Sequence, residues 1–294
     1  MKIVIVANCG KPKVKQAVDE LLPWISQRAQ VVAVDTDTDV DLMKVDTDVV
    51  LIFGGDGTLL STARRLHSRQ VPLMGVNFGR LGFLASFTPG QFKEHFEKLI
   101  ARKLPISARL VLEASVIDAD VKCSMDDSIE VAAKRKFVST ALNDAVITAG
   151  PPFRMIELLV GPEGDAGVRF LGDGIIISTP SGSTAYSMSA GGPILSPNIE
   201  ALCVTPLCPQ SLSFRPIVIS SQNKLLVTAK RVNAGTTLFC DGQESTHLNV
   251  GDKVVVQRAA KDVLLVENPD SQEWRTLAEK LNWAASPHYN ASSK

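Results

Sequence analysis

The stretch VVLIFGGDGTLL, residues 49–60, joins a short apolar run to a turn that contains one carboxylate, Asp56. The run VVLIF predicts a buried strand that ends at Phe53, and the spacing of apolar residues over 59–66 predicts a helix. Three glycines occupy the turn: Gly54, Gly55 and Gly57. Glycines let the backbone approach a bulky ligand, and the free N–H groups at a helix start attract an anion. The stretch therefore predicts a strand, a phosphate-binding loop and a helix.

The same alternation of strands and helices extends over the first hundred residues. Further apolar runs are KIVIVA (2–7), VVAV (31–34) and VPLMGV (71–76), and residues 14–25 and 92–100 have helical spacing. Continuous apolar strands separated by helices are typical of a parallel sheet that is covered on both faces. Ligands of such sheets bind at the carboxyl ends of the strands, where the glycine turn lies. We predict an α/β domain over residues 1–102.

The pattern changes after residue 102. Many short apolar runs with Gly and Pro between them predict a β-rich, sandwich-like domain over residues 103–268. The segment SQEWRTLAEKLNW (271–283) returns to helical spacing. Because Trp274 and Trp283 need a surface to pack on, we expect this helix to dock back onto a domain, and we treat 269–294 as a C-terminal helix and tail.

The composition indicates which kinds of partner the protein can bind and in which compartment it lies. Lys plus Arg (31) balances Asp plus Glu (31), so no net field draws the chain to nucleic acid or to an anionic membrane. No window approaches the ~18 apolar residues of a membrane span. The five cysteines are odd in number and scattered, which indicates reduced thiols and a cytoplasmic protein.

A second unusual stretch, LGDGIIISTPSGSTAYSMSAGGPILSP, occupies residues 171–197. It gathers small and hydroxylated side chains around one aromatic residue, Tyr186, and cannot build a core. It can offer close backbone approach, hydrogen-bond partners and one ring face to a polar ligand. The alternative is a flexible linker, which the preceding strand GIIIS and the rigid Pro180 and Pro193 disfavour.

Three motifs together resemble the NAD kinase family: GGDGT (54–58), LND (142–144) and GDGIIISTPSGSTAYSMSAGGPI (172–194). GVNFGRLGFLASF (75–87) and CDGQ (240–243) extend the resemblance over most of the chain. GGDGT is shared with diacylglycerol and sphingosine kinases, so TPSGSTAY is the specific part. The resemblance implies phosphoryl transfer from ATP, or polyphosphate, to the adenosine-ribose 2′-hydroxyl of NAD, giving NADP. It also implies a donor-bound divalent metal, Mg²⁺, and a homodimer or homotetramer with NAD sites completed at subunit contacts.

The resemblance implies roles for individual residues. Asp56 matches the family's proton acceptor, with Gly57 beside the ligand. Asn143 and Asp144 match a pair that contacts NAD ribose hydroxyls, although a glutamate is commoner in the second position. Phe83 matches an aromatic residue near the adenosine. The run also matches dinucleotide contacts: Thr184 and Ala185 toward the adenine, Tyr186 toward the nicotinamide, and Ser187, Met188 and Ser189. Further dinucleotide-contacting positions are matched by Arg154, Asp173 and Gln243.

The chemistry of Asp56 agrees with this assignment. A ribose hydroxyl is a poor nucleophile until a base takes its proton, and a carboxylate within hydrogen-bond reach supplies ~10² to 10⁴ in rate. The alternative is that Asp56 only caps a helix. Two other functions stay open: a lipid kinase of the GGDGT group, and a dinucleotide sensor without turnover.

No cluster of side chains in the sequence resembles a metal cage. The acidic run 35–48 lacks the glycine and the distal glutamate of an EF-hand loop. We therefore predict no metal site built by the protein, with the metal arriving on the nucleotide. The four histidines, His67, His95, His247 and His288, have no motif partners and are expected at the surface.

Overall fold

A computed structural model describes residues 1–66, 68–79, 82–119 and 135–281. The first domain is built on a six-stranded sheet in the spatial order β2-β1-β3-β4-β18-β5. Its strands are β1 (Lys2–Ala7), β2 (Gln30–Asp35), β3 (Val49–Phe53), β4 (Leu73–Val76), β5 (Ile106–Arg109) and β18 (Val263–Val266). All neighbours are parallel except β5, which runs antiparallel to β18.

Helices cover both faces of this sheet, as predicted. They are α1 (Pro12–Ser26), α2 (Asp56–Leu66) and α3 (Pro89–Ile100). The apolar faces of α1 and α3 share one buried cluster, which includes Leu21 and Phe96, whereas α2 packs on the opposite face through Leu59 and Leu60. All five residues of β3 are buried, because this central strand is covered twice. The α/β prediction is confirmed.

The second domain contains two six-stranded antiparallel sheets. One has the order β10-β9-β14-β17-β6-β7 and the other β13-β12-β11-β8-β15-β16. The strands are β6 (Leu112–Ile117), β7 (Arg135–Ala141), β8 (Asp144–Thr148), β9 (Ile156–Pro162), β10 (Val168–Gly172), β11 (Gly174–Ser178), β12 (Ala201–Leu207), β13 (Ile217–Ser220), β14 (Leu225–Arg231), β15 (Thr237–Cys240), β16 (Glu244–His247) and β17 (Lys253–Arg258). Inner faces of both sheets share one apolar core, for example Leu158 with Ile175 and Val227. The β-rich, sandwich-like prediction is confirmed.

The chain crosses between the domains more than once. Strands β5 and β18 belong to the segment 103–268, yet both complete the sheet of the first domain. Each of these strands is a short apolar run, and its sequence does not indicate which sheet it joins. The domain limits at residues 102 and 268 stay predictions.

The one-turn helix α4 (Tyr186–Ser189) is followed by a C-terminal helix, α5 (Glu273–Leu281), which returns to the first domain. Its Leu277 and Lys280 line a cavity together with Phe83. Trp274 stays 71% exposed, so this residue buries little of its surface. Trp283 lies outside the described residues.

The surface location expected for His95 is wrong. This side chain is 2% exposed, on the inner face of α3, and its Nε2 lies 2.8 Å from Oδ2 of Asp270. Glu94, His95 and Asp270 hold ligand-type atoms within 4.8 Å of one another, but Lys98 Nζ lies 3.4 Å from His95 Nδ1 and places a cation beside them. His67 and His288 lie outside the described residues.

No helix among the described residues is long and apolar enough to span a membrane. The four cysteines that the structure describes, Cys9, Cys203, Cys208 and Cys240, are unpaired thiols.

Candidate active site

Asp56 is the first residue of α2, three positions after the end of β3 at Phe53. Its carboxylate accepts hydrogen bonds from the backbone N–H groups of Phe83 (2.9 Å), Leu84 (3.3 Å) and Ala85 (2.9 Å). All three donors belong to a loop from another part of the chain rather than to α2. The carboxylate is therefore fixed by a ring of N–H groups, and it connects two segments of the site.

Gly82 begins this loop, and its lack of a side chain is required. A Cβ atom placed there would overlap the Asp56 carboxylate. The loop can approach Asp56 closely enough to donate its N–H groups only because residue 82 is glycine.

Two cavities flank the glycine turn at the carboxyl ends of β1 and β3. The larger measures about 720 Å³ and is lined by Gly54, Gly55, Asp56, Asn77 and Gly82 together with two lysines, Lys11 and Lys13. The start of α1 beside these lysines has no side-chain cap and no acidic residue in its first turn. The positive end of the α1 dipole and the two ammonium groups therefore form an anion-attracting end. Neither lysine is among the predicted site residues, although the KPK motif (11–13) shortly after the first predicted strand is a usable signal.

The second cavity, of about 540 Å³, contains Gly55, Gly57, Ser61 and Gln243. Here the two domains meet. The side-chain amide of Gln243 donates to the Gly57 carbonyl at 2.9 Å, and Arg64 of α2 donates to Gln243 Oε1 at 2.8 Å.

The LND motif is fixed by a carboxylate that the sequence analysis did not single out, Asp241. This side chain accepts hydrogen bonds from the N–H groups of Leu142 (2.9 Å), Asn143 (2.7 Å) and Asp144 (3.2 Å). The Asn143 carbonyl in turn accepts the N–H of Thr179 at 2.9 Å. The LND, TPSGST and CDGQ motifs therefore form one hydrogen-bonded unit, although they are far apart in the sequence.

Burial changes the electrostatics of this unit. Asp144 is 5% exposed, and burial raises its pKa to about 7, with the nearby charge of Asp241 acting in the same direction. Burial also raises the pKa of Asp241, which its three N–H donors and the Arg64 charge oppose. Two carboxyl groups thus share a poorly solvated region beside the predicted ribose contacts.

The small-residue run is folded rather than a flexible linker. It forms a 3₁₀ turn (Ser181–Thr184) followed by α4. The Ser183 hydroxyl accepts the N–H of Leu195 at 2.9 Å, and Ser187, fully buried, lies 2.9 Å from Oγ1 of Thr205. These hydroxyls hold the run in place, and the predicted NAD contact of Ser187 stays a prediction. Tyr186 is 48% exposed and presents its ring outward.

A third cavity joins the two halves of the site. It measures about 380 Å³ and is lined by Phe83 and Leu84 of the first domain, by Ser181 and Thr184 of the run, and by Lys280 of α5. Gly82 lines both this cavity and the 720 Å³ cavity that contains Asp56, so the Gly82–Phe83 segment lies between Asp56 and the predicted adenine contact Thr184. Ala185 directly follows Thr184 at the start of α4, with Met188 and Ser189 in the same turn.

Two predicted NAD contacts lie away from this cleft. Asp144 pairs with Ser178 at one end of β11, whereas Asp173 precedes Gly174 at the other end. Four residue steps of a strand span about 13 Å. Arg154, on the exposed segment before β9, donates no side-chain bond to the cleft among the described contacts and accepts the Asn233 amide through its carbonyl. Within a single subunit, Asp173 and Arg154 therefore do not lie beside Asp56.

Comparison with known proteins identifies the family. Models of the ATP-NAD kinase N-terminal and C-terminal domains match residues 3–104 and 142–268. The NAD kinase of Rhodopirellula baltica is 35% identical over 283 residues, which cover 96% of this chain and 87% of that protein. The NAD kinase of Trichlorobacter lovleyi is 36% identical over 293 residues, with 96% and 98% coverage. The chain belongs to the NAD kinase family.

Solved structures agree with this membership. Yeast NADH kinase complexed with NADH aligns with a TM-score of 0.82 at 25% identity, over 100% of this chain and 90% of that one. An NAD kinase from Archaeoglobus fulgidus in complex with ATP aligns with a TM-score of 0.74 at 23% identity, over 96% and 99%, and shares the fold. The predicted family and the predicted enzyme class, ATP-dependent phosphorylation of NAD to NADP, are confirmed.

Proposed function

We propose that this NAD kinase uses Asp56 as its general base. Asp56 takes the proton of the adenosine-ribose 2′-hydroxyl while that oxygen bonds to the γ-phosphorus of ATP, and the bond to the β-phosphate oxygen breaks to release ADP. The observation that carries the proposal is the ring of three N–H donors around Asp56 at the carboxyl end of β3. An ionised carboxylate has about four acceptor sites. Three bonds orient it and leave one site for the hydroxyl proton.

The donor phosphates bind on the glycine-turn side of Asp56. Lys11, Lys13, the start of α1 and the turn N–H groups supply positive charge and hydrogen-bond donors there. Of the described residues lining the 720 Å³ cavity, Asp56 is the one carboxylate. Mg²⁺ binds in proteins through one or two carboxylates plus substrate phosphates, and this donor set fits a metal carried by the nucleotide. Such a metal neutralises phosphate charge.

NAD lies across the cleft from the donor. Phe83, Thr184 and Ala185 contact the adenine side, Asn143 and Asp144 the ribose, and Tyr186 the nicotinamide side. The cavity shared by Phe83 and Thr184 supports this orientation.

A second subunit completes the NAD site. Asp173 and Arg154 lie toward the end of β8 and β11 that is far from Asp144. We infer that they contact NAD bound in the cleft of another copy. The exposed apolar side chains of Phe153 and Met155, on both sides of Arg154, support a subunit contact there. We assign a homodimer or homotetramer. The unpaired thiols support a reducing compartment, the cytoplasm.

The Asp56→Asn variant tests the proposed base. The amide keeps the shape but cannot accept the proton, so turnover should fall by ~10² or more while NAD still binds. Loss of the negative charge should also let NADP bind more tightly, because the 2′-phosphate no longer meets a like charge. NADP formation with ATP and Mg²⁺, and calorimetric affinities for NAD and NADP, measure the three quantities.

Asp46→Asn, at an exposed aspartate of the same domain, is the matched control. It should leave turnover, NAD affinity and NADP affinity unchanged. If Asp56→Asn keeps most of its turnover, the base lies elsewhere.

A further inference from the structure

Lys280 of α5 contacts the loop that surrounds Asp56. Its ammonium donates a hydrogen bond to the backbone carbonyl of Gly82 and lies 4.4 Å from the centroid of the Phe83 ring. The Gly82 carbonyl and the Phe83 N–H belong to the same peptide group, and that N–H donates to Asp56 Oδ2 at 2.9 Å. Lys280 and Asp56 therefore bind opposite ends of one peptide group.

This arrangement is electrostatically favourable at both ends. The cation meets the negative carbonyl end of the peptide dipole, and the carboxylate meets the positive N–H end. Charge-assisted hydrogen bonds are stronger than neutral ones, and bonds in a chain polarise one another. The Phe83 ring face adds a cation–π contact. The orientation of this peptide plane is thus set by two charges rather than by loop packing alone.

The surroundings of Lys280 point to the same role. Burial lowers the pKa of Lys280, and the charge of Asp56 opposes that shift. Arg109 lines the same cavity, but its guanidinium is paired with Glu267 at 2.5 Å, so its charge is compensated. The ammonium of Lys280 is held partly out of water, and the Gly82–Phe83 peptide group separates it from the Asp56 carboxylate.

We propose that Lys280 is a positioning residue for phosphoryl transfer, a role that rests on the proposed function of Asp56. It holds the Gly82–Phe83 peptide, which orients the Asp56 carboxylate toward the 2′-hydroxyl. The C-terminal helix thereby supplies part of the active site, far from the motifs in sequence.

The test compares Lys280→Met, Lys280→Gln and Lys280→Arg. Methionine keeps the stem on the Phe83 ring but cannot donate to Gly82, so kcat should fall about 10-fold or more, because small misplacements of reacting groups are costly. KM for NAD should change less than about threefold, since the binding surface remains. Glutamine can donate without charge and should give an intermediate kcat, and arginine should restore most of it.

Arg275→Met is the matched control on the same helix. Its guanidinium is exposed and pairs with Glu279 one turn away, so kcat and KM should equal those of the parent. Thermal unfolding temperatures report whether each variant folds. Parental kcat in Lys280→Met, or an arginine variant as slow as the methionine variant in a normally folded protein, would overturn the assignment.

A double variant separates this proposal from the role of Asp56. If Lys280 acts through Asp56, adding Lys280→Met to Asp56→Asn should lower turnover by no more than about twofold, because residues that act as a unit are non-additive. Full additivity overturns the positioning role and leaves the base intact. Retained turnover in Asp56→Asn alone overturns the base, whatever Lys280→Met shows in the parent background.

Discussion

The side-chain amide of Gln243 donates a hydrogen bond to the backbone carbonyl of Gly57 at 2.9 Å, although the two residues are 186 positions apart. The other end of the same amide accepts from Arg64. One exposed side chain from the hairpin turn of the β domain thus connects to both the phosphate loop and α2.

Gln243→Ala should weaken catalysis more than folding. It removes the two hydrogen bonds that hold the exposed Gln243 amide between the phosphate loop and α2. We expect kcat/KM for NAD to fall about 3- to 30-fold while the unfolding temperature changes little, because the side chain is exposed. Steady-state kinetics at saturating ATP measures this. Gln222→Ala, at another exposed glutamine, should show no loss, and an equal loss in both variants would contradict the bridging role.

Gly82→Ala should abolish most activity in a folded protein. The added methyl group would overlap the Asp56 carboxylate, so the loop must withdraw the N–H groups that orient it. We expect turnover to fall by ~10² or more, the scale of a misplaced catalytic group. Gly90→Ala is the control, because a Cβ there meets no atom within 4 Å. Activity in Gly82→Ala equal to that of Gly90→Ala would show that the N–H ring is dispensable.

The sequence predicts the parts of the site that depend on local pattern. The strand, turn and helix of residues 49–66 follow from a change of period at the glycines, and they place Asp56 correctly at a strand end. Lys280 could not be found this way, because its contact with Gly82 crosses 198 positions and has no periodic signal. The role of Asp241 likewise has no local signal, because its three N–H donors lie about a hundred residues earlier.

Composition also cannot tell which hydroxyls of a polar run face a ligand. Ser187 and Tyr186 are neighbours in the motif, yet one is fully buried and the other half exposed. A single helical turn rotates successive side chains to different sides, so only the fold decides.

The stability of the protein should depend on pH through Asp144. Burial raises its pKa from 3.8 to about 7, so the folded state binds this proton more tightly than the unfolded chain. The associated stabilisation is complete below about pH 4 and is lost as the pH rises through 7. Asparagine cannot ionise, so Asp144→Asn lacks this pH-dependent contribution to stability. The unfolding temperature of the variant minus that of the parent should therefore increase from pH 5 to pH 8.

Thermal unfolding of both proteins across that range measures the difference. Asp46→Asn, at an exposed carboxylate, should give a profile parallel to the parent. If the unfolding temperature of Asp144→Asn also changes with pH in parallel to the parent, the Asp144 carboxylate is already ionised in the folded protein at pH 5.

Tyr186→Ala should weaken NAD binding without loss of stability. The ring is 48% exposed at the start of α4, where buried Ser187 anchors the turn independently, so truncation removes a ligand surface rather than core packing. Base or ring stacking on an aromatic side chain contributes about 1–3 kcal/mol. We therefore expect KM for NAD to rise about 5- to 100-fold with an unfolding temperature close to that of the parent. Leu212→Ala, at an exposed apolar residue of the same domain, should change neither quantity. An unchanged KM in a normally folded Tyr186→Ala protein would remove Tyr186 from the NAD site.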